Sequence, residues 1–444
     1  MKGKLFGTDG IRGKANEHPV TSELARKLGV AMVCVLGGGR VAKVLIGRDT
    51  RESGEMLEAG VMEGLLSMGA EVVRLGILPT PAIAYLVKEL GATAAVMLTA
   101  SHNPYEDNGM KIFGGDGFKL SNEQEEEIEG LLLGSLHGQN GKAGRVVDFP
   151  EGMEMYVAAA KASVGELDLS GLKIVVDAGN GAGYEVGPRI FKELGAEVFE
   201  MAVMPDGRNI NAQCGALFPK SAGGMVRETG ADLGVSLDGD ADRVIFSDSD
   251  GEVVSGDQVL ALCALGLKGA GKLRGNAIVA TVMSNLGLDE VMGEAGIKVS
   301  RSKVGDRLVM EKIREEGLAF GGENSGHLIF VDHATSGDGI LSALQVCKII
   351  RESNVTLKEL AGVMREYPST LLNLPVREKR PLEALAGLQN LILEADALFG
   401  NEGRHLIRYS GTEMKIRVLV EHRDQNVVNE WIGKFKQMIK EELG

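Results

Sequence analysis

The stretch VLIGRDTRESGEMLEAGVMEGLLSMGAEVVRLGIL, residues 44–78, decides the fold. Its two ends, VLIG (44–47) and EVVRLGIL (71–78), are short, β-branched and continuously apolar rather than alternating, as parallel strands covered on both faces are. Between them SGEMLEAGVMEGLLSMGA (53–70) is amphipathic. The stretch therefore predicts strand, helix, strand: a βαβ unit.

The same pattern continues outward. AAVMLTA (94–100), KIVVDAG (173–179), AEVFEMAV (196–203), DLGVSL (232–237) and NAIVATV (276–282) read as further strands, separated by helical segments such as GYEVGPRIFKELGA (183–196). A helix-Gly-strand junction recurs three times: Ser67 to Val73 around Gly69, Glu193 to Phe199 around Gly195, and Glu294 to Ser300 around Gly296. The repeats lie too far apart for a solenoid unit and predict three α/β domains of about 100 to 150 residues each; glycine capping of unrelated helices would look similar. The polar segment Leu136 to Lys142 falls near the first boundary. Beyond Pro368 and the basic turn Arg377 to Pro381 the pattern changes to strand (371–376), helix (381–399), two strands and a closing helix, a small α+β unit. The expected domains are 1–152, 153–254, 255–368 and 369–444.

The 444 residues carry a formal charge of −14 and 44% hydrophobic residues, enough apolar content for several cores. That charge excludes a surface for nucleic acid or anionic membrane, which needs a basic excess. MKGKLFGTDGIRG at the N-terminus has no apolar signal region, and no run of about 18 apolar residues occurs, so a cytoplasmic protein is expected. Cys34, Cys214, Cys263 and Cys347 form no CxxC pair, which points to neither a zinc site nor a disulfide framework. The 62 glycines, scattered between apolar runs, indicate many tight loops.

Four loops carry chemistry. TASHNP (99–104) follows a strand at its carboxyl end, where open α/β sheets place ligands. Ser101 is a candidate nucleophile there or part of an ordinary turn. His102 is expected to be a poor base for it, because neighbours on extended backbone point to opposite sides. LDGDADR (237–243) sets Asp238, Asp240 and Asp242 at i, i+2 and i+4 behind a buried strand. Carboxylates that close call for a hard divalent cation, the alternative being a solvated acidic turn. GGENSGH (321–327) offers Glu323, Ser325 and His327 between LAF and LIF, as a sugar-hydroxyl site or a hairpin turn. RYSGTE (408–413) resembles an anion nest, with Arg408, two hydroxyls and a glycine, or again a hairpin; Arg417 adds charge if the strand faces it inward. Two other glycine runs fail their motifs. Gly266 to Leu273 lacks the Ser/Thr of a P-loop, and Gly179 to Tyr184 has Tyr at the last glycine of a dinucleotide fingerprint.

Taken together, TASHNP, DGDADR, GENSG and RYSGTE, in that order after FGTDGIRG (6–13), resemble the α-D-phosphohexomutase superfamily. The resemblance implies three similar α/β domains with mixed sheets plus a smaller C-terminal α+β domain, heart-shaped around a central cleft. Within the superfamily, FGTDGIRG, Glu323-Asn324 before Ser325, and Lys303-Val304-Gly305-Asp306-Arg307 resemble the branch acting on hexosamine phosphates. The mannose and glucose phosphate branch is the nearest alternative. Met414 departs from the branch pattern, which has Pro there.

By that resemblance phospho-Ser101 exchanges its phosphoryl group with the sugar phosphate through a 1,6-bisphosphate, which also serves as activator. One Mg²⁺ per subunit is held by Asp238, Asp240, Asp242 and a Ser101 oxygen. Arg12 and Lys111 lie by the phosphoryl group, with Lys111 as candidate proton shuttle, while His102 braces the loop. Glu323, Ser325, Asp306 and Arg307 face the sugar, and Arg408, Ser410, Gly411, Thr412 and Arg417 grip the other phosphate. A homodimer is implied. An aspartyl phosphotransferase using Asp238 as nucleophile and a non-catalytic sugar-phosphate sensor remain alternatives at this stage.

Overall fold

The structure, a computed structural model, describes residues 5–7, 9–134, 144–410 and 413–444. It divides into two compact units: residues up to Met283 with Ala295–Val363, and Ser284–Glu294 with Met364–Gly444.

The first unit contains three sheets built on one plan. In the first, parallel strands Ala94–Leu98, Lys43–Arg48, Glu71–Ile77 and Arg145–Asp148 lie side by side, and Asp107–Gly114 and Ile11–Lys14 add antiparallel strands beyond Ala94–Leu98. In the second, Glu197–Met201, Lys173–Asp177 and Leu233–Leu237 are parallel and Val244–Ser247 returns antiparallel. In the third, Lys298–Ser302, Ala277–Thr281 and Phe320–Gly322 are parallel and Leu328–Phe330 returns antiparallel. The continuous apolar runs are the parallel strands: every residue of Ala94–Leu98, Leu233–Leu237 and Ala277–Thr281 is buried. Each fully buried Val, Leu or Ile there contributes roughly 1.5–3 kcal/mol.

The plan positions chemistry. In each sheet one parallel strand is followed directly by an antiparallel return, and the loops at those turns are 99–106, 238–243 and 323–327. The recurring glycines mark the same plan from the other side. Gly69, Gly195 and Gly296 have φ of +78°, +95° and +64°, and each opens a strand that pairs in parallel with the first parallel strand of its sheet.

The second unit has a three-stranded antiparallel sheet ordered Ser369–Pro375, Lys415–His422, Gly403–Tyr409. Helices Ala386–Phe399 and Gln425–Leu443 close a core around Trp431, Phe435 and Phe399. Helix Leu286–Glu294 belongs to this unit: Leu286 N–H donates to the buried Glu421 carboxylate, and Asn285 exchanges hydrogen bonds with the Tyr367 backbone at 3.0 and 2.9 Å. Among the described residues no helix is long and apolar enough to cross a membrane.

Candidate active site

Ser101 sits at φ +52° in the turn after Ala94–Leu98 and is 1% exposed. Its Oγ donates to Asp238 Oδ2 at 2.6 Å. The turn is held by its carbonyls. Arg51, fully buried and paired with Asp49 at 2.9 Å, donates to the carbonyls of Ser101 at 3.0 Å, Asn103 at 2.8 Å and Asp107 at 3.0 Å. Asn211 Nδ2 adds a bond to Ser101 O at 2.9 Å. A buried guanidinium has five donors in a fixed fork; here Nε serves Asp49 and the two Nη groups serve carbonyls of Ser101, Asn103, Pro104 and Asp107.

Because the backbone at Ser101 is left-handed rather than extended, His102 does not point away as the sequence suggested: its Nδ1 lies 3.3 Å from Ser101 Oγ. It is still a poor base, for another reason. Arg243 Nη1 donates to the same Nδ1 at 2.9 Å, and burial together with the Arg243 and Arg12 charges pushes the imidazole down to about 4. The Ser101 proton goes to Asp238.

Asp238, Asp240 and Asp242 are all buried, and each offers a ligand oxygen within 4.8 Å of the others. The loop packs so tightly that two glycines are required by space. A Cβ on Gly239 would stand 2.4 Å from Ser101 O, and one on Gly181 would stand 2.3 Å from Gly239 O. The glycine run 179–183 is therefore a seat for the acidic loop, with Ala182 N donating to Gly239 O at 2.8 Å. Thr80 N donates to Asp240 O at 2.9 Å and Thr80 Oγ1 to the Asp240 carboxylate, fastening the loop to the first domain.

Lys111, 1% exposed, places Nζ 2.8 Å from Asp240, 3.2 Å from Asp242 and 3.1 Å from Asp9. Burial favours its neutral form, but the three carboxylates carry its pKa well above the ordinary lysine value. Lys111 is thus an ammonium that can give a proton or hold charge, and in this arrangement it is no base. Burial, then Asp242 and Asp240, push Asp238 up to about 8. Asp240 Oδ1 and Asp242 Oδ1 are buried without a hydrogen-bond partner. An all-oxygen cluster with orphaned carboxylate oxygens fits Mg²⁺, a hard cation.

Arg12 lies on Ile11–Lys14 opposite Gly109 and pairs with Asp9, its Nε buried without a partner. Across the third-domain turn, Glu323 Oε1 accepts from Gly305 N at 3.0 Å, and Ser325 Oγ is buried and unpartnered. His327 Nε2 accepts the Gly337 N–H at 3.1 Å, which puts the ring proton on Nδ1, 3.7 Å from Asp242 Oδ1. Asp306 opens helix Asp306–Glu316 and pairs with Lys119. Arg307 is turned away from this group: it makes a two-pronged pair with Glu125 at 2.7 and 3.1 Å and bonds Asn122 at 2.8 Å. Its guanidinium fastens the third domain to the first-domain helix Asn122–Leu133 and is not directed at a sugar.

In the second unit, Arg408 and Arg417 are direct cross-strand partners. Opposed residues of an antiparallel pair share a face, and like charges there repel; the Glu413 carboxylate lies 3.8 Å from Arg417 Nη2. Register settles the question of Arg417's direction that the sequence left open. Ser410 Oγ accepts from Glu413 N at 3.2 Å and Ser410 O from Lys379 Nζ at 2.5 Å. Gly411 and Thr412 lie outside the described residues.

Four profiles for phosphoglucomutase/phosphomannomutase match along the chain: α/β/α domain I at residues 3–135, domain II at 154–251, domain III at 255–367 and the C-terminal domain at 371–437. The chain belongs to the phosphoglucomutase/phosphomannomutase family. It is 45% identical to a phosphoglucosamine mutase of Geotalea uraniireducens over 99% of this chain and 98% of that one, and 47% identical to one of Desulforamulus reducens over 98% and 99%. Among solved structures, a phosphoglucomutase/phosphomannomutase family protein of Burkholderia thailandensis superposes with a TM-score of 0.82 at 25% identity, covering 99% of this chain and 97% of the other. An Aspergillus fumigatus N-acetylphosphoglucosamine mutase, in complex with GlcNAc-6P and magnesium, shares the fold with a TM-score of 0.68 at 18% identity, over 99% and 96% of the two chains. The three-plus-one domain architecture of this family, an α-D-phosphohexomutase family, is that of the present chain.

Around these loops the structure places residues that the sequence reading passed over: Asp9, Arg51 with Asp49, Thr80, Lys119, Asn211 and Arg243. Asp49 and Arg51 did carry a signal. They are charges immediately after the buried run VLIG, at the strand end where sheets of this kind put ligands.

Proposed function

We propose that this enzyme, an isomerase of the intramolecular phosphotransferase type, interconverts glucosamine 6-phosphate and glucosamine 1-phosphate with Ser101 as phosphoryl carrier. The observation that carries the reading is the Ser101 Oγ to Asp238 Oδ2 contact of 2.6 Å inside a buried triple-aspartate loop. The amino-sugar assignment rests on full-length likeness to curated phosphoglucosamine mutases at about the same length.

Phospho-Ser101 gives its phosphoryl group to a sugar hydroxyl: the Oγ–P bond breaks, the P–O bond to the sugar forms, and the proton that the hydroxyl loses replaces the one that Lys111, the candidate shuttle, delivers from its ammonium to Ser101 Oγ. The resulting 1,6-bisphosphate reorients, and its other phosphoryl group returns to Ser101. Transfer of this kind is mostly positioning and charge stabilisation. Arg51 and Asn211 hold the serine turn, Lys111 supplies a fixed positive charge, and Glu323 and Ser325 face the sugar hydroxyls. Arg408, Ser410 and Arg417, with Gly411 and Thr412, receive the phosphate that is not moving. Asp238, Asp240 and Asp242 would hold Mg²⁺, which when bound acts as a Lewis acid on the phosphoryl oxygens. A hexosamine 1,6-bisphosphate is the expected activator, and a cytoplasmic homodimer the expected form.

The reading is tested by kcat/KM of the phosphorylated protein on glucosamine, glucose and mannose 1-phosphates with Mg²⁺ and the matching bisphosphate. A preference of about tenfold for the amino sugar, about 1.4 kcal/mol at the transition state, is expected. A preference for glucose or mannose phosphate would overturn the substrate assignment while leaving the serine chemistry in place.

A further inference from the structure

One half-buried lysine outside the four loops pairs with carboxylates that stand beside two of them. Lys119 follows the strand Asp107–Gly114 on a tight turn, and its ammonium pairs with both Asp9 and Asp306. The turn is built to hold it there. Gly114 N donates to Phe118 O at 2.8 Å and Gly117 N to Gly114 O at 2.9 Å. Gly117 has φ +79°, and a Cβ on it would stand 2.5 Å from Ala84 O. From the third domain Thr335 Oγ1 donates to Gly117 O at 2.7 Å.

Each partner of Lys119 leads to a group that the proposed reaction uses. Asp306 opens its helix next to Gly305, which has φ +132° and whose N–H holds Glu323 Oε1 at 3.0 Å. Asp9 contacts Lys111 Nζ at 3.1 Å and pairs with Arg12. The order is Glu323, Gly305, Asp306, Lys119, Asp9, Lys111, from the sugar loop to the charged side of the acidic loop. Without the ammonium, two half-buried carboxylates would face each other and repel.

We infer that Lys119 is a positioning residue: by holding Asp9 and Asp306 on one ammonium it sets the sugar-loop carboxylate Glu323 at the right distance from Lys111 and Arg12. The consequence for turnover rests on the mutase reading above; the pairing itself does not. A misplacement of about 1 Å at a transfer site lowers rate by about 10²-fold while leaving much of the binding intact, so the effect belongs in kcat.

The test uses full-length Lys119→Met, Lys119→Arg, Asp306→Asn and the Lys119→Met/Asp306→Asn double variant. Expected for Lys119→Met is a folded protein whose kcat falls about tenfold or more with KM changed less than about threefold. Lys119→Arg should recover most of the loss, and the double variant should be no worse than the poorer single one, because both remove one interaction. Specific activity unchanged in the folded fraction of Lys119→Met, or effects of the two single changes that multiply, would overturn the inference. Hydrogen exchange at the Gly305 amide gives a readout free of activity: exchange should quicken in Lys119→Met, and unchanged exchange would overturn the inference even if the wild-type enzyme turned over no hexosamine phosphate. That last result would by itself bring down only the substrate reading.

Discussion

Ser101 Oγ and Asp238 Oδ2 lie 2.6 Å apart, joining the hydroxyl at the turn of the first sheet to the first carboxylate at the turn of the second. Both groups are buried, and the serine backbone is held at its carbonyl by the Arg51 guanidinium and the Asn211 amide. Ser101→Ala should remove the phosphorylated form seen by intact mass and lower turnover by about 10³-fold or more. Normal turnover by the alanine variant would move the covalent role to Asp238.

Asp238 contributes a pH dependence to the stability of the metal-free protein. Its folded value of about 8 lies above the roughly 3.9 of an unfolded aspartate. Between those values the folded chain keeps a proton that the unfolded chain has lost, so the contribution to stability is present at low pH and falls as pH rises through about 8. A divalent cation takes the place of that proton, and binding should release protons. Stability in chelator should therefore fall from about pH 6 to about pH 8, while Mg²⁺ at one fixed concentration, about 100 times its Kd at pH 6, adds about 2.7 kcal/mol there and more at pH 8, where its Kd is lower. Stabilisation by Mg²⁺ that is the same at both pH values would contradict this.

His102 should leave no mark on the pH profile. With its imidazole pushed down to about 4 by burial and the Arg243 and Arg12 charges, it is neutral across the working range and titrates below it. His102→Gln is expected to keep kcat/KM within about tenfold, below the roughly 10²- to 10⁴-fold that losing a general base costs. The acid limb of the profile should keep its position, and its disappearance would show that His102 moves a proton after all.

Arg51→Met removes the fork from a fully buried pair and leaves the Asp49 carboxylate with no cation, held only by Thr99 Oγ1 at 2.7 Å and the residue-51 amide at 3.0 Å. Burial already raises the Asp49 carboxyl against the pull of Arg51. Breaking a buried pair on one side destabilises by roughly 3–5 kcal/mol, readable in denaturant unfolding. Arg51→Lys should recover only part, since an ammonium has three donors and no fork. A stability loss below about 1 kcal/mol, the scale of a surface pair, would mean that the serine loop has other support.

Much of the molecule could be read along the chain. The runs 44–47, 94–100, 232–237 and 276–282 stand out because a strand buried on both faces must be apolar at every position, and the structure makes each of them a parallel strand. The helix-Gly-strand junctions were legible because a left-handed turn after a helix favours glycine. The antiparallel returns were harder. Asp107–Gly114 carries charged, polar and glycine positions such as Lys111 among its buried residues, so its periodicity does not announce a strand.

What the sequence by itself determined is therefore the set of layers and the four loops at their ends, since burial and turns leave local, periodic traces in residue type. The tertiary structure alone decided which charges meet. Lys119 and Asp306 are 187 residues apart in the chain, and nothing local marks them as partners. Arg307 stands beside Asp306 yet faces Glu125, and His102 turns toward Ser101 because one residue adopts φ +52°. Hairpin register puts Arg417 opposite Arg408. The reason is physical: hydrophobic burial is non-directional and spreads over many residues, whereas a buried ion pair or hydrogen bond depends on distances of a few ångströms that exist only after the sheets have packed.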